Sequence, residues 1–167
     1  MNSHEQVLEP AAFPVRARGR QYEDFQVGQR LDHHWGRTLT AGDATLFATA
    51  TLAHNPLYFN AEHARAEGHP DLVVPPLLAL CTVVGLSVED LSEAGGPFLG
   101  IDDLVFHRPV HPGDTLSSAS TVLAKRPSGT QPGFGVVTWR TEGRDQRGDL
   151  VVAFTRANLV VMREAQR

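Results

Sequence analysis

The spacing of apolar and polar positions predicts two short helices early in the chain. Thr40 and Asp43 have the spacing of a capping box, in which Thr40 is the N-cap residue and Asp43 lies three residues later. Apolar residues recur at helical intervals over residues 44–53, and Asn55-Pro56 should end this helix because the residue before proline disfavours the α conformation. A second short helix is predicted over residues 61–66.

A third helix is predicted over residues 76–91, where the chain is apolar on almost every side until Glu89 and Asp90. A helix without a polar face belongs inside a hydrophobic core. A proline at its first position is tolerated, because that N–H has no partner within a helix. The single cysteine, Cys81, lies in this run, so we expect a small buried side chain and no intrachain disulfide.

Strand-like runs precede and follow these helices. The first is predicted over residues 29–39. Four more, separated by turns rich in Gly and Pro, are predicted over residues 99–107, 115–125, 134–142 and 150–162. Short connections between the last four indicate antiparallel neighbours. The pattern therefore predicts an α+β domain, in which a curved antiparallel sheet wraps around the central apolar helix. This arrangement is a hot-dog fold.

Composition and charge limit the binding partners and the cellular location that this protein is expected to have. The chain has 167 residues, of which 41% are hydrophobic, and its formal net charge is −4 without a basic stripe, so nucleic acid is not expected as a partner. No apolar run approaches the ~20 residues that span a bilayer. The first thirty residues lack a signal-peptide pattern. We therefore expect a cytoplasmic protein with a flexible arm over residues 1–20, one domain over residues 21–163 and a tail over residues 164–167.

Several segments together resemble the MaoC-like dehydratases, relatives of R-specific enoyl-CoA hydratase, over residues 21–163. The segments are residues 22–25 (YEDF), 36–40 (GRTLT), 55–60 (NPLYFN), 84–88 (VGLSV), 106–110 (FHRPV) and 112–116 (PGDTL). The resemblance implies a hydratase/dehydratase of acyl-CoA thioesters that needs no cofactor. It also implies a homodimer or higher oligomer joined through one continuous sheet, or pairing with another hot-dog subunit.

Hydration of an enoyl thioester needs a held water, a group that takes its proton, and donors for the oxygen that becomes negative. The resemblance implies that the family uses an Asp, a His and a backbone N–H at the start of the central helix. Carried over by position, the Asp role falls on Ala53, the His role on Tyr58, and the N–H role at or next to Pro76. Ala53 cannot transfer a proton, tyrosine is a poor base at neutral pH, and Pro76 has no N–H. The catalytic positions of this chain are therefore expected to be altered.

The loop that carries these positions offers replacements. His54 and Tyr58 are the candidate catalytic residues, because an imidazole exchanges protons near neutral pH and a phenol can orient a carbonyl. By the same resemblance, Asn55, Pro76 and Gly85 are the candidate substrate-binding residues.

Other groupings of polar residues have simpler interpretations. The pairs His33-His34 and His107 with His111 have no carboxylate or cysteine to complete a ligand set, so no metal is expected. Glu89 and Asp90 occupy a helix where hot-dog thioesterases use a carboxylate, but their late position indicates a solvated helix end. Three functions stay open at this point: a hydratase/dehydratase, a non-catalytic subunit that pairs with an active hot-dog partner, and a thioesterase.

Overall fold

The computed structural model describes residues 19–163. Its α-helices and β-strands are β1 (Arg30–Thr38), α1 (Ala41–Ala50), α2 (Ala61–Ala66), α3 (Pro76–Leu91), β2 (Phe98–Phe106), β3 (Thr115–Pro127), β4 (Phe134–Arg144) and β5 (Leu150–Val161). Each strand lies within two residues of its predicted bounds, and α2 and α3 have the predicted bounds. The predicted arm up to residue 18 and the tail over residues 164–167 lie outside the described residues.

The capping box that begins α1 is confirmed, but the predicted end of this helix is wrong. Thr40 accepts a hydrogen bond from the Asp43 N–H at 3.1 Å, and the Asp43 carboxylate accepts one from the Thr40 N–H at 2.9 Å. The helix ends at Ala50, because Leu52 adopts a left-handed conformation with φ of 55°. The Ala53 N–H then reaches back to the carbonyl of Ala48 at 2.9 Å. This pattern is a Schellman motif with leucine where glycine is usual.

The five strands form one antiparallel sheet in the order β1-β3-β4-β5-β2. The two hairpins β3-β4 and β4-β5 confirm the prediction from short connections. The same prediction is wrong for β2 and β3, because β2 pairs with β5 at one edge and β3 pairs with β1 near the other. The connection over residues 107–114 therefore crosses from one side of the sheet to the other. There, the Val110 carbonyl accepts a hydrogen bond from the Val74 N–H at 2.8 Å.

The hydrophobic core lies between α3 and the inner face of the sheet. Alternate residues of β4 are buried, which directs Val137 and Trp139 inward. Val83 of α3 packs into the same interior with Leu116 and Phe154. The central apolar helix wrapped by an antiparallel sheet confirms the predicted α+β hot-dog fold.

Only one side of α3 is buried, which corrects the expectation of a wholly enclosed helix. Leu77 is 55% exposed and Val88 39% exposed, and Cys81 is exposed rather than buried. The physical reason is that a single sheet contacts one side of a cylinder and leaves the opposite side uncovered. Across residues 19–163, no helix combines the length and the hydropathy needed to cross a membrane.

Candidate functional site

An apolar cavity of about 330 Å³ lies at the N-terminus of α3. Its walls come from the segment before α3, the first turn of α3, the end of β2 with the loop after it, and β5. The lining residues are Val73, Val74, Pro76, Ala79, Phe106, His107, Arg108, Pro109, Val110 and Val151. Apolar side chains form most of this surface, and the polar groups that reach it come from two consecutive residues.

Those two residues are His107 and Arg108, and both side chains are exposed. The backbone N–H of His107 donates to the Val151 carbonyl at 2.8 Å, which holds the end of β2 beside β5. The Arg108 guanidinium forms an ion pair with Asp149. From the sequence, His107 was weighed only as a metal ligand, and Arg108 was not predicted as a site residue. The available signal was their position between the end of a strand and Pro109.

Of the predicted site residues, Pro76 lines this cavity directly. The loop with His54, Asn55 and Tyr58 adjoins it without contributing lining residues. The Asn55 side chain accepts a hydrogen bond from the Leu57 N–H at 3.1 Å, which caps a short 3-10 turn. The Leu57 carbonyl in turn accepts from the N–H of Val73, a lining residue, at 2.8 Å. The structure therefore fastens this loop to the cavity wall.

The side chains in this loop differ in their exposure. His54 is exposed, whereas Tyr58 is partly buried. The His54 side chain makes no hydrogen bond to another residue between positions 19 and 163, so it does not cap α1. Its imidazole is therefore accessible to solvent.

Gly85 lies elsewhere, which separates it from the other predicted substrate-binding residues. It borders a second groove, of about 380 Å³, between the exposed side of α3 and β1. Trp35, Leu78 and Cys81 line the same groove. Nine residues along a helix correspond to about 13 Å at 1.5 Å per residue, so Gly85 and Pro76 are too far apart to hold one small acyl group.

The backbone at the start of α3 leaves one donor free. Pro76 has no N–H, and the N–H groups of Leu78 and Ala79 both donate to the Pro75 carbonyl, at 2.9 and 3.3 Å. The N–H of Leu77 has no hydrogen-bond partner among residues 19–163. First-turn N–H groups point out of a helix and carry the positive end of its dipole. This N–H is therefore available to a carbonyl or an anion beside the cavity.

A pair of histidines joins the segment after α2 to the connection between β2 and β3. His69 and His111 approach each other at 3.3 Å between Nδ1 and Nε2, and the His111 N–H donates to the Asp114 carboxylate at 2.9 Å. Burial lowers the pKa of His111. Across residues 19–163, no three His, Cys, Asp or Glu side chains are grouped so that they could hold a metal ion.

The two carboxylates late in α3 are engaged with the sheet, so the expectation of a solvated helix end is wrong. Asp90 lies 2.7 Å from Nδ1 of His33, and Nε2 of that buried imidazole lies 2.9 Å from Ser120 Oγ. Glu89 accepts a hydrogen bond from Trp35 Nε1 at 3.0 Å. Burial lowers the pKa of His33, which favours a neutral ring that donates to Asp90 and accepts from Ser120. These contacts give both carboxylates a structural role, which disfavours the thioesterase hypothesis.

Solved structures define the class of protein. The MaoC-like dehydratase from Rhodospirillum rubrum superposes with a TM-score of 0.77 at 28% identity, over 87% of this chain and 99% of that chain. A Mycobacterium tuberculosis protein with a double hot-dog fold superposes with a TM-score of 0.73 at 26% identity, over 86% of this chain and 44% of that chain. The fold is thus that of a MaoC-like hot-dog protein.

The sequence comparisons then identify the family. The model of the family described as mesaconyl-CoA hydratase matches residues 2–167, and the chain belongs to this family. A mesaconyl-CoA hydratase from Haloarcula marismortui is 42% identical over 151 residues, which cover 90% of this chain and 42% of that protein. This chain therefore spans less than half the length of that relative.

Proposed function

We propose that this chain is a hot-dog domain of a CoA-thioester hydratase/dehydratase that acts on a branched, dicarboxylic 2-enoyl-CoA of the mesaconyl type. The observation that carries the proposal is the apolar cavity at the N-terminus of α3. A substrate acyl group needs an apolar wall beside a donor for its thioester carbonyl. The names of the relatives supply the substrate class and the reaction.

We assign the contact with the thioester oxygen to the N–H of Leu77. Water adds its hydroxyl to the β-carbon and a proton to the α-carbon, and negative charge develops on the thioester oxygen between these events. A backbone N–H at a helix N-terminus stabilises that charge, because it is already oriented and carries a partial positive charge. Pro76 then shapes the cavity, while its neighbour provides the donor.

We assign proton transfer to the histidines around the cavity. His54, on the loop fastened to Val73, and His107, in the lining, both carry an imidazole, the side chain that most often serves as a general acid or base. Tyr58 is the candidate for orienting the substrate carbonyl. Ala53, at the position where the family places its Asp, takes no part in proton transfer. Arg108 provides a cation at the cavity rim for an anionic group of the substrate.

Loss of the conjugated thioester absorbance of mesaconyl-CoA tests the reaction. We expect His54→Ala or His107→Ala to lower kcat by about 10²-fold or more, the usual contribution of a general acid or base. Tyr58→Phe should lower the rate less. His63→Ala, on α2, is the matched control and should retain activity. A rate equal to buffer for the wild-type chain, alone and with a hot-dog partner, would contradict the proposal.

Leu77→Pro tests the proposed oxyanion contact, because it removes the N–H within the first turn, where helices tolerate proline. Loss of one such donor costs about 10²–10³ in kcat. Leu77→Ala changes the same side chain but keeps the N–H, so it should stay close to the wild-type rate. Equal rates for the two variants, with unchanged melting curves, would exclude this N–H from the mechanism.

A second candidate function is that of a non-catalytic hot-dog domain. The residues at the positions implied by the resemblance favour it, since Ala53 lies where the family places its Asp and Tyr58 where it places its His. The Haloarcula relative is more than twice as long as the matched region, since the match covers 42% of it. A hot-dog partner domain with an intact Asp and His would then carry out the chemistry. Under this hypothesis, the wild-type chain is inactive alone, and His54→Ala does not lower the activity of the assembled pair.

A further inference from the structure

One buried arginine lies on the inner face of the sheet without an acceptor for its hydrogen bonds. Arg156 of β5 is directly opposite Trp139 of β4, whose side chain points into the core. Residues opposite each other on neighbouring strands share a face, so the guanidinium also points inward. Arg156 is only 1% exposed, and its Nε and Nη2 atoms have no hydrogen-bond partner among residues 19–163.

This guanidinium stays charged at neutral pH. Burial lowers the pKa of Arg156 to about 10, which is still well above the neutral range. The Asp90 carboxylate is engaged with His33, and no carboxylate within residues 19–163 forms an ion pair with Arg156. An unpaired charge in a protein interior is strongly destabilising, so buried charges are normally paired. Arg156 therefore needs an anionic partner that the described part of the chain does not supply.

Two neighbouring side chains also have buried polar atoms without partners. The Nε1–H of Trp139 has no acceptor within residues 19–163, and Cζ of Arg156 lies 5.5 Å from the centre of the Trp139 ring. Asn158, two residues after Arg156, points to the same face, and its Oδ1 likewise lacks a partner in this part of the chain. If the carboxamide is turned over, Nδ2 takes the place of Oδ1 and offers a donor. Positive charge and hydrogen-bond donors thus lie together, as an anion site requires.

These three residues, here called the Arg156 cluster, are separate from the cavity at the N-terminus of α3. Val151, which lines that cavity, precedes Arg156 by five residues on β5. At ~3.3 Å per residue, the two positions are about 16 Å apart. A short branched acyl group is much smaller than this distance, so a substrate in the cavity does not reach Arg156.

We propose that the Arg156 cluster binds a small monovalent anion, a halide or a carboxylate, in the interior of the domain. The Nε–H and Nη2–H groups of Arg156 donate charge-assisted hydrogen bonds to the anion, and the Trp139 indole adds a neutral donor. A single negative charge matches one guanidinium, whereas a dianion would leave an uncompensated charge in the core. The bound anion stabilises the sheet where β4 meets β5, independently of the hydratase reaction.

The fluorescence of Trp139 provides a direct probe of this site. The chain has two tryptophans, so Trp35→Phe leaves Trp139 as the single emitter. Iodide, a heavy-atom quencher, is titrated while bulky gluconate keeps the ionic strength constant. Because Trp139 is fully buried, collisions with iodide in solution reach it poorly, and a bound iodide should give quenching that saturates. Chloride and acetate then compete with iodide, and the stronger competitor shows whether the site prefers a halide or a carboxylate.

Variants in this background connect the binding to the guanidinium. Arg156→Met should abolish the saturable quenching. Arg156→Lys should weaken the affinity about 10-fold or more, because lysine keeps the charge but lacks the planar pair of donors. Arg140→Met is the matched control, since Arg140 follows Trp139 on β4 and points to the opposite face of the sheet. It should bind iodide as the parent chain does.

Thermal melts with and without chloride give a second measurement. Chloride should raise the Tm of the parent and Arg140→Met chains but not that of Arg156→Met, because a ligand stabilises only a folded state that binds it. If Arg156→Met does not fold, Arg156→Lys provides the same comparison with a smaller increase.

Three results would overturn the proposal. They are quenching that rises linearly with iodide, equal quenching in the parent and Arg156→Met chains, and displacement of iodide by mesaconyl-CoA. The first two would leave water as the partner of Arg156, and the third would show that the cluster belongs to the substrate site. Neither the quenching nor the melts require turnover, so their results do not depend on the proposed function.

Discussion

The contact between Asp90 and His33 allows a quantitative test of how α3 is fastened to the sheet. The His33 side chain is fully buried, and its Nδ1 lies 2.7 Å from the Asp90 carboxylate. Nε2 of the neutral ring accepts from Ser120, whose hydroxyl oxygen lies 2.9 Å from that of Thr141. The hydrogen bonds can therefore run in one direction, from Thr141 through Ser120 and His33 to Asp90.

Asp90→Ala removes the acceptor and leaves the Nδ1–H of His33 buried without a partner. A buried donor that loses a charged partner costs about 1–3 kcal/mol. Because the Asp90 side chain is 26% exposed, water can partly replace it, and we expect a loss near 2 kcal/mol. For a domain of this size, that loss corresponds to a decrease in Tm of about 4–8 °C.

Urea unfolding at pH 8, followed by circular dichroism, measures this loss. Asp90→Asn keeps an acceptor at the same place and should cost less than half as much. Glu89→Ala removes a charge from the same end of α3, but its partner Trp35 is 58% exposed, so it should cost about 0.5 kcal/mol or less. If Asp90→Ala is no more destabilising than Glu89→Ala, the reasoning from burial is refuted.

Two further predictions concern stability. Burial lowers the pKa of His33 in the folded state, so the unfolded chain binds more protons once the pH falls below the ordinary histidine pKa of about 6.5. Stability should therefore be complete above that pH and decrease as the pH falls below it, with a weaker dependence in His33→Gln. Urea midpoints at pH 7.5, 6.5 and 5.5 measure this slope, and a midpoint that rises on acidification would contradict it. Leu52→Gly should stabilise the domain by up to about 1 kcal/mol, because glycine adopts the left-handed conformation without strain and Leu52 is 73% exposed. A thermal melt checks this change, with Leu52→Ala as a control that keeps the strain and should not stabilise.

Only some residues of the candidate site could be predicted from local sequence pattern and family resemblance. The loop with His54, Asn55 and Tyr58 and the first residue of α3, Pro76, were predicted from the resemblance. His107 and Arg108 were not found as site residues, because their role depends on a cavity that β2, α3 and β5 enclose together. Gly85 was placed with the others because the sequence shows which helix it is on but not how far along the helix the cavity extends.

The sequence alone determined the elements whose signals are local. A capping box began α1, a long and mostly apolar run specified α3, and turn residues marked the two hairpins that join β3, β4 and β5, because each signal acts between residues close in the chain. The tertiary structure decided the strand pairing, the exposure of side chains and the contacts between residues that are distant in the sequence. It placed β2 beside β5, left Cys81 exposed because one sheet covers one side of a helix, and brought Asp90 to His33. Such contacts join residues far apart in the chain, and their energies depend on burial, which exists only once the whole domain has formed.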